Sequence, residues 1–419
     1  MRAALYLLCG LLVACAVAPL PIERPTPLLL VSIDSFRPDY LERGLTPTLS
    51  AIAREGVRAR WMQPSFPSQT FPNHYTLVTG KWPDHHGIVN NTMTDPAIPG
   101  VRFSSGNRGA VGDPRWWSQA VPLWVTAHEA GLRTATLFWP GSEAPNRGIR
   151  PDDWMKYDKQ LSGVERVDKV LGWLQRPAST RPDFITLYLD TVDIVGHQFG
   201  PDSPQLDSAL GDVDAVLERL FAGIRDSGMD GQINIVIVSD HGMAAVAPDH
   251  VIVLDDAVPA DLIELQVAGV LTGVTPKPGW EAAVTQKLWA SELPWQCWRK
   301  TDVPARLHYG SNPRIPALVC LANEGWTSAT RDWLDKGNHL KRGAHGYDPQ
   351  LASMRALFLA TGPAFAHKRV IAPFGNVDVY PMLARLLGLA PLPGDGAIDL
   401  LERVAPDHND GAVPPPDPS

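Results

Sequence analysis

Three short apolar runs that each give way to an acid constrain the fold of this chain more than any other feature. Leu28-Leu29-Leu30-Val31-Ser32-Ile33 runs into Asp34, Ile233 to Ser239 runs into Asp240-His241, and Phe184 to Leu189 is followed closely by Asp193. Mostly apolar rather than alternating, such runs read as strands buried on both faces, the pattern of a largely parallel sheet. Arg133 to Phe138 and Arg355 to Ala360 are further runs, and helical patterns over Val164 to Leu174 and Leu206 to Arg225 lie among them. The alternation predicts an α/β fold, a three-layer α/β/α sandwich around a central, largely parallel sheet. Ligands of open α/β sheets bind beyond the carboxyl ends of the strands, so the three acidic groups are expected together at one edge.

From about Asp255 to Asn338 the alternation is interrupted by Pro, Gly and Trp, which predicts an inserted subdomain within a catalytic domain of residues 28–401. Met1-Arg2 and the apolar stretch Ala3 to Ala18 are too short for a comfortable membrane span and read as an export signal, 1–18. Within it Leu12-Val13-Ala14-Cys15 resembles the bacterial lipobox, making Cys15 a lipidation candidate; ordinary signal-peptidase cleavage near Ala14-Cys15-Ala16 is the alternative. Residues 19–27 would then be a tether, and the Pro-rich 402–419 a disordered tail. The expected location is periplasmic or outer-membrane-anchored, with membrane contact through the lipid alone. Cys297 and Cys320 remain as an even pair in an exported chain, for which a disulfide is the leading expectation over two buried thiols. A formal net charge of −8 disfavours a broad grip on nucleic acid, so no sequence-specific nucleic acid binding is expected and any nucleotide handled is small.

The strand-end acids have company. Asp193 and His197 are four residues apart, so one helical turn would put them on one face, whereas the adjacent Asp240 and His241 converge only from a sharply bent loop, with which Gly242 is consistent. His345 is a further candidate ligand. Singly, each reads more simply as a helix cap, a turn residue or a satisfied histidine. Together they would crowd like charges into one cleft, a conflict that divalent cations remove. Thr70 lies between these groups in the run Pro67-Ser68-Gln69-Thr70-Phe71-Pro72-Asn73-His74-Tyr75. A threonine hydroxyl is a poor nucleophile until a cation or base stabilises its alkoxide. Thr70 also precedes an expected helix to Thr79, stopped by Gly80, so its hydroxyl could simply cap that helix. The two roles are compatible, because a helix N-terminus presents N–H groups to an anion. The residues read as a two-metal phosphoester hydrolase.

Six ordered motifs make a more specific match: Ser32-Ile33-Asp34-Ser35-Phe36-Arg37, the Thr70 run preceded by Phe66, Thr79-Gly80 with His86-Gly87-Ile88, Asp193-Ile194-Val195-Gly196-His197, Ser239-Asp240-His241-Gly242-Met243 and Gly343-Ala344-His345-Gly346-Tyr347. Together, from Leu28 to Leu387, they resemble the nucleotide pyrophosphatase/phosphodiesterase family of the alkaline phosphatase superfamily, and the chain looks like a compact bacterial, single-domain member. The resemblance implies two zinc ions. Asp193, His197 and His345 would hold one; Asp34, Asp240, His241 and the Thr70 oxygen would hold the other. It further implies attack by Thr70 on phosphorus, a phosphothreonine intermediate, and release of nucleoside 5′-monophosphates from a small nucleotide diester or pyrophosphate substrate. Asn91 matches the position that donates its amide to a non-bridging phosphate oxygen, although Asn90 beside it could instead point inward and an Asx turn would explain either. Phe71, Tyr157 and Tyr188 fit the places that line a slot for the base; packing in the core is their alternative. Thr191-Val192 before Asp193 departs from the acidic residue and proline common in relatives.

Rival readings share this catalytic chemistry. A glycerophosphodiester or lipid-headgroup hydrolase of the same family would use the same residues. A phosphomonoesterase should place an arginine close to the nucleophile, where Phe71 stands instead, and a sulfatase needs a modifiable Cys or Ser there. A lipoprotein using the fold only to bind would be expected to have lost a ligand or the nucleophile.

Overall fold

The structure, a computed structural model, describes residues 24–290, 292–338 and 340–407. Its strands are β1 (Leu28–Ile33), β2 (Val57–Ala59), β3 (Thr134–Leu137), β4 (Asp153–Met155), β5 (Phe184–Leu189), β6 (Asn234–Val238), β7 (Ile263–Val267), β8 (Leu271–Pro276), β9 (Trp295–Arg299), β10 (Leu318–Ala322), β11 (Phe358–Thr361) and β12 (Arg369–Ile371), with short two-stranded pairs besides. Eight of these form the central sheet, in the order β12-β2-β11-β6-β1-β5-β3-β4. From β6 to β4 every pairing is parallel, whereas β11 runs antiparallel to both β6 and β2. An apolar run carries no information on strand direction, so the reversal of β11 was not readable from the sequence.

Alternate residues of the buried strands feed two separate cores, which makes the molecule three layers deep. Leu29, Val31 and Ile33 of β1 pack with Val167, Val170, Leu217 and Leu220 from the helices α3 (Gly163–Leu174) and α5 (Pro204–Asp226). Leu28 and Leu30 point the other way, into the core that holds Leu77 and Val78 of α2 (Thr70–Thr79). Both helices expected around Val164 and Leu206 are present. The register aligns Ser32 with Tyr188 on one side and with Val238 on the other, so β6, β1 and β5 end side by side.

A second, four-stranded antiparallel sheet, β7-β8-β10-β9, occupies part of the interval expected to be inserted. Cys297 on β9 stands opposite Cys320 on β10, and the two are joined by a disulfide. Two expected boundaries move. The tail does not start at 402, because Leu400–Val404 is a helix whose Leu400 and Val404 are buried. The tether does not extend to 27, because Arg24 pairs with Asp183 at 2.6 Å and the Pro27 carbonyl accepts from Asn234 N at 2.9 Å. The expected export signal 1–18, Cys15, and residues 19–23 and 408–419 lie outside the described residues. Among those described, no helix is long and apolar enough to cross a membrane.

Candidate active site

The three strand-end acids meet. Asp34 follows β1 and donates its N–H to the Leu189 carbonyl at the end of β5 at 2.9 Å. Asp193 and His197 lie one turn apart on α4 (Thr191–Phe199), with His197 Nε2 3.6 Å from Asp193 Oδ1. His345 Nε2 is also 3.6 Å from that oxygen. Beyond β6, His241 Nε2 lies 2.9 Å from Asp240 Oδ2 and 3.6 Å from Asp34 Oδ1. Gly242 permits this by its size and not by a positive φ: a Cβ there would sit 2.1 Å from the Ser353 carbonyl oxygen. Thr70 is the first residue of α2 and Gln69 its N-cap, so the hydroxyl is not the cap; it lies 3.2 Å from His241 Nε2. Gly80, with φ 65°, ends this helix as expected.

The histidine tautomers show what the cluster is suited to hold. Nδ1 of His197 faces the Gly343 carbonyl at 2.8 Å, Nδ1 of His345 the Ser68 carbonyl at 3.0 Å, and Nδ1 of His241 the Gly242 carbonyl at 2.9 Å. A carbonyl can only accept, so each Nδ1 carries the hydrogen, and the neutral rings of His197 and His345 turn their Nε2 lone pairs towards Asp193; at His241 burial opposes the charged form, but Asp240 outweighs it and holds the imidazole above its usual range. Lone pair against carboxylate is repulsive unless a cation stands between them. Asp34 Oδ1 and Asp240 Oδ2 are likewise buried without a hydrogen-bond partner among the described residues. Burial, with the charges of Asp240 and Asp193, pushes the Asp34 carboxyl well above its usual range. Burial, and then His241, holds the His345 imidazole well below its own, leaving it neutral. The donor set is mixed oxygen and nitrogen, which zinc and related divalent ions accept. Two overlapping groups have ligand atoms within 4.8 Å of one another: Asp193, His241 and His345, and Asp34, Asp240 and His241. His241 stands between the two groups, and His197 joins the first through Asp193.

A cavity of about 330 Å³ opens over these groups and is also lined by Thr70, Phe71, Asn91, Tyr157 and Tyr188. Asn91 Oδ1 accepts from Phe71 N at 2.8 Å, which leaves its NH2 end for another partner. Asn90 is buried outside this lining, with its Oδ1 accepting from Thr92 N at 3.1 Å. The Tyr157 hydroxyl donates to Asp190 at 2.5 Å, and its ring meets Phe138 edge-on. Tyr188 is only 8% exposed, and its hydroxyl donates to Asp34 Oδ2 at 2.5 Å, which ties it to the carboxylate cluster as well as to the cavity.

Several supporting residues were not assigned a role from the sequence. Ser35, held at φ 62°, donates its hydroxyl to Asp193 Oδ1 at 2.8 Å and its N–H to Asp240 Oδ1 at 3.2 Å, linking the two groups. His74, one turn along α2 from Thr70, has Nδ1 2.9 Å from the Thr70 carbonyl and 3.3 Å from Asp240 Oδ2. Its spacing from Thr70 was the available signal. Arg108, Glu143 and Lys341 also line the cavity.

A family model described as type I phosphodiesterase / nucleotide pyrophosphatase matches residues 28–348. An uncharacterised pyrophosphatase/phosphodiesterase of Schizosaccharomyces pombe is 37% identical, covering 89% of this chain and 79% of its own length. A venom phosphodiesterase of Crotalus durissus collilineatus is 34% identical over 88% of this chain, which spans only 45% of that protein. Among solved structures, murine ectonucleotide pyrophosphatase/phosphodiesterase 5, as an inactive variant in complex with AMP, superposes with a TM-score of 0.86 at 32% identity, covering 91% of this chain and 100% of that one.

Proposed function

Because the chain belongs to the type I phosphodiesterase / nucleotide pyrophosphatase family, we propose that it hydrolyses phosphodiester and phosphoanhydride bonds of small nucleotides and releases nucleoside 5′-monophosphates. The observation that carries this reading is the Thr70 hydroxyl, 3.2 Å from His241 Nε2 at the floor of a cavity that also holds Phe71 and Tyr157. AMP in the murine neighbour supports a nucleotide as the substrate class.

In this reading Asp193, His197 and His345 would hold one zinc ion, and Asp34, Asp240 and His241 a second that the Thr70 oxygen also reaches. When bound, such a pair supplies positive charge for the attacking and leaving oxygens and lowers the pKa of a water. Thr70 Oγ1 attacks phosphorus, the bond to the leaving oxygen breaks, and water then cleaves the phosphothreonine. The NH2 group of Asn91, oriented by the bond from Phe71 N, donates to a non-bridging oxygen. Phe71, Tyr157 and the ring of Tyr188 form the wall against which the base stacks. The exported setting belongs to the same proposal and rests on the short positive end and apolar stretch of residues 1–18, with the lipobox-like Leu12-Val13-Ala14-Cys15 pointing to a bacterial chain.

Thr70→Ala is expected to lower kcat on thymidine 5′-p-nitrophenyl phosphate by about a thousandfold or more while the protein still takes up zinc. Unchanged turnover would remove Thr70 from the chemistry. Choline diesters and nucleoside monophosphates, assayed alongside, should be poorer substrates than the nucleotide diester. A preference for either would replace the substrate class and leave the site assignment standing.

A further inference from the structure

The cavity wall carries a lysine whose charged form burial opposes and the charge of Asp193 supports, without a direct ion pair between them. Lys341 lines the cavity beside Asp193, Ile194, His197 and His345, and among the described residues no hydrogen bond or ion pair engages its ammonium. Arg108, the other cation of the lining, is tied to Glu143 and lies over the Tyr157 ring, 5.6 Å from its centroid. Arg108 therefore belongs to the aromatic end and Lys341 to the end held by α4. The backbone after Lys341 is fixed to that end: Arg342 N donates to the His197 carbonyl at 2.9 Å, and the Gly343 carbonyl accepts from His197 Nδ1 at 2.8 Å. A four-carbon stem on an anchored backbone can swing its charge across the cavity mouth without leaving the site.

Direction follows from the chemistry. In the proposed reaction the attacking and leaving oxygens stand on opposite sides of phosphorus, so with Thr70 serving one group the leaving oxygen would fall to the other, Asp193, His197 and His345, beside which Lys341 lines the cavity. Two divalent cations would already outweigh the charge of Asp34, Asp193 and Asp240, so Lys341 is not needed as their counter-ion. Its charge is available for a substrate. Resting on the proposed reaction, we infer that Lys341 is a specificity-determining residue that grips the distal phosphate of an anionic leaving group, favouring phosphoanhydrides over diesters whose leaving group is a plain alcohol or phenol.

The test compares kcat/KM for ATP and for thymidine 5′-p-nitrophenyl phosphate in zinc-saturated wild type, Lys341→Met and Lys341→Arg. Loss of a charge-assisted contact predicts a fall of about tenfold or more on ATP in Lys341→Met, with less than about a twofold change on the aryl ester. Lys341→Arg should recover most of the ATP activity. The aryl ester serves as the internal measure of folding and metal loading in each variant. Equal losses on both substrates, or no loss on ATP, overturn the inference and leave the proposed reaction intact. A wild type that turns over neither substrate overturns the proposed reaction, and the inference with it.

Discussion

Tyr188 faces two ways, with its ring on the cavity proposed to hold the base and its hydroxyl on one of the candidate metal ligands. In the sequence it is an aromatic placed to meet a base; in the fold its hydroxyl is spent on Asp34 Oδ2 at 2.5 Å, and its ring meets His74 edge-on. A hydrogen bond that orients a ligating carboxylate typically changes metal affinity by about 10- to 100-fold. Tyr188→Phe, which keeps the ring, is therefore expected to weaken zinc binding by about tenfold in a competition titration, with little change in KM for the nucleotide diester. Unchanged zinc affinity in Tyr188→Phe would mean that the hydroxyl bond to Asp34 does nothing for metal binding, leaving the ring as the residue's contribution. The convergence of the candidate ligands was legible only from the group, because several strand-end acids and imidazoles in one cleft would set like charges together, whereas each alone reads as a cap or turn residue. Ser35 and His74 were not legible, because what gives them a role lies 158 residues away for the Ser35 hydroxyl and, for His74, in the fold around Asp240.

At the scale of elements, continuous apolar runs located β1 and β5 to the residue, since both are buried along their whole length. β7 and β9 escaped that reading because they mix exposed and less exposed positions, with Trp295–Arg299 never fully buried, whereas β10 is buried throughout and was missed inside an interval read as an interruption of the pattern. The start of α1 (Pro47–Glu55) depends on a partner no local pattern could reveal. Its N-cap Thr46 makes no side-chain cap; instead Asp214, buried on α5, accepts from Thr48 N at 3.0 Å and Leu49 N at 2.9 Å. Charged acceptors at a helix N-terminus also meet the positive end of its dipole. Asp214→Ala leaves these buried donors unmet and is expected to destabilise the fold by about 1–3 kcal/mol in urea unfolding. A change within about 0.5 kcal/mol would mean that water replaces the carboxylate at that helix start.

The whole molecule is arranged so that β6, β1 and β5 end side by side, which brings Asp240-His241, Asp34 and Asp193 to one edge from chain positions up to 207 residues apart. β11 and the four-stranded sheet were hidden from the sequence in direction and pairing, yet His345 reaches the same edge. Three carboxylates crowded against the neutral imidazoles of His197 and His345, with His241 between them, form a donor set that cations would join, and the nucleophile's place beside His241 would give those cations their use. Anomalous diffraction at the zinc edge from zinc-loaded crystals tests this most directly. Two peaks about 4 Å apart are expected, one among Asp193, His197 and His345, the other among Asp34, Asp240 and His241 within bonding reach of Thr70 Oγ1. Zinc elsewhere on the surface, or a Thr70 oxygen remote from both peaks, would contradict the account.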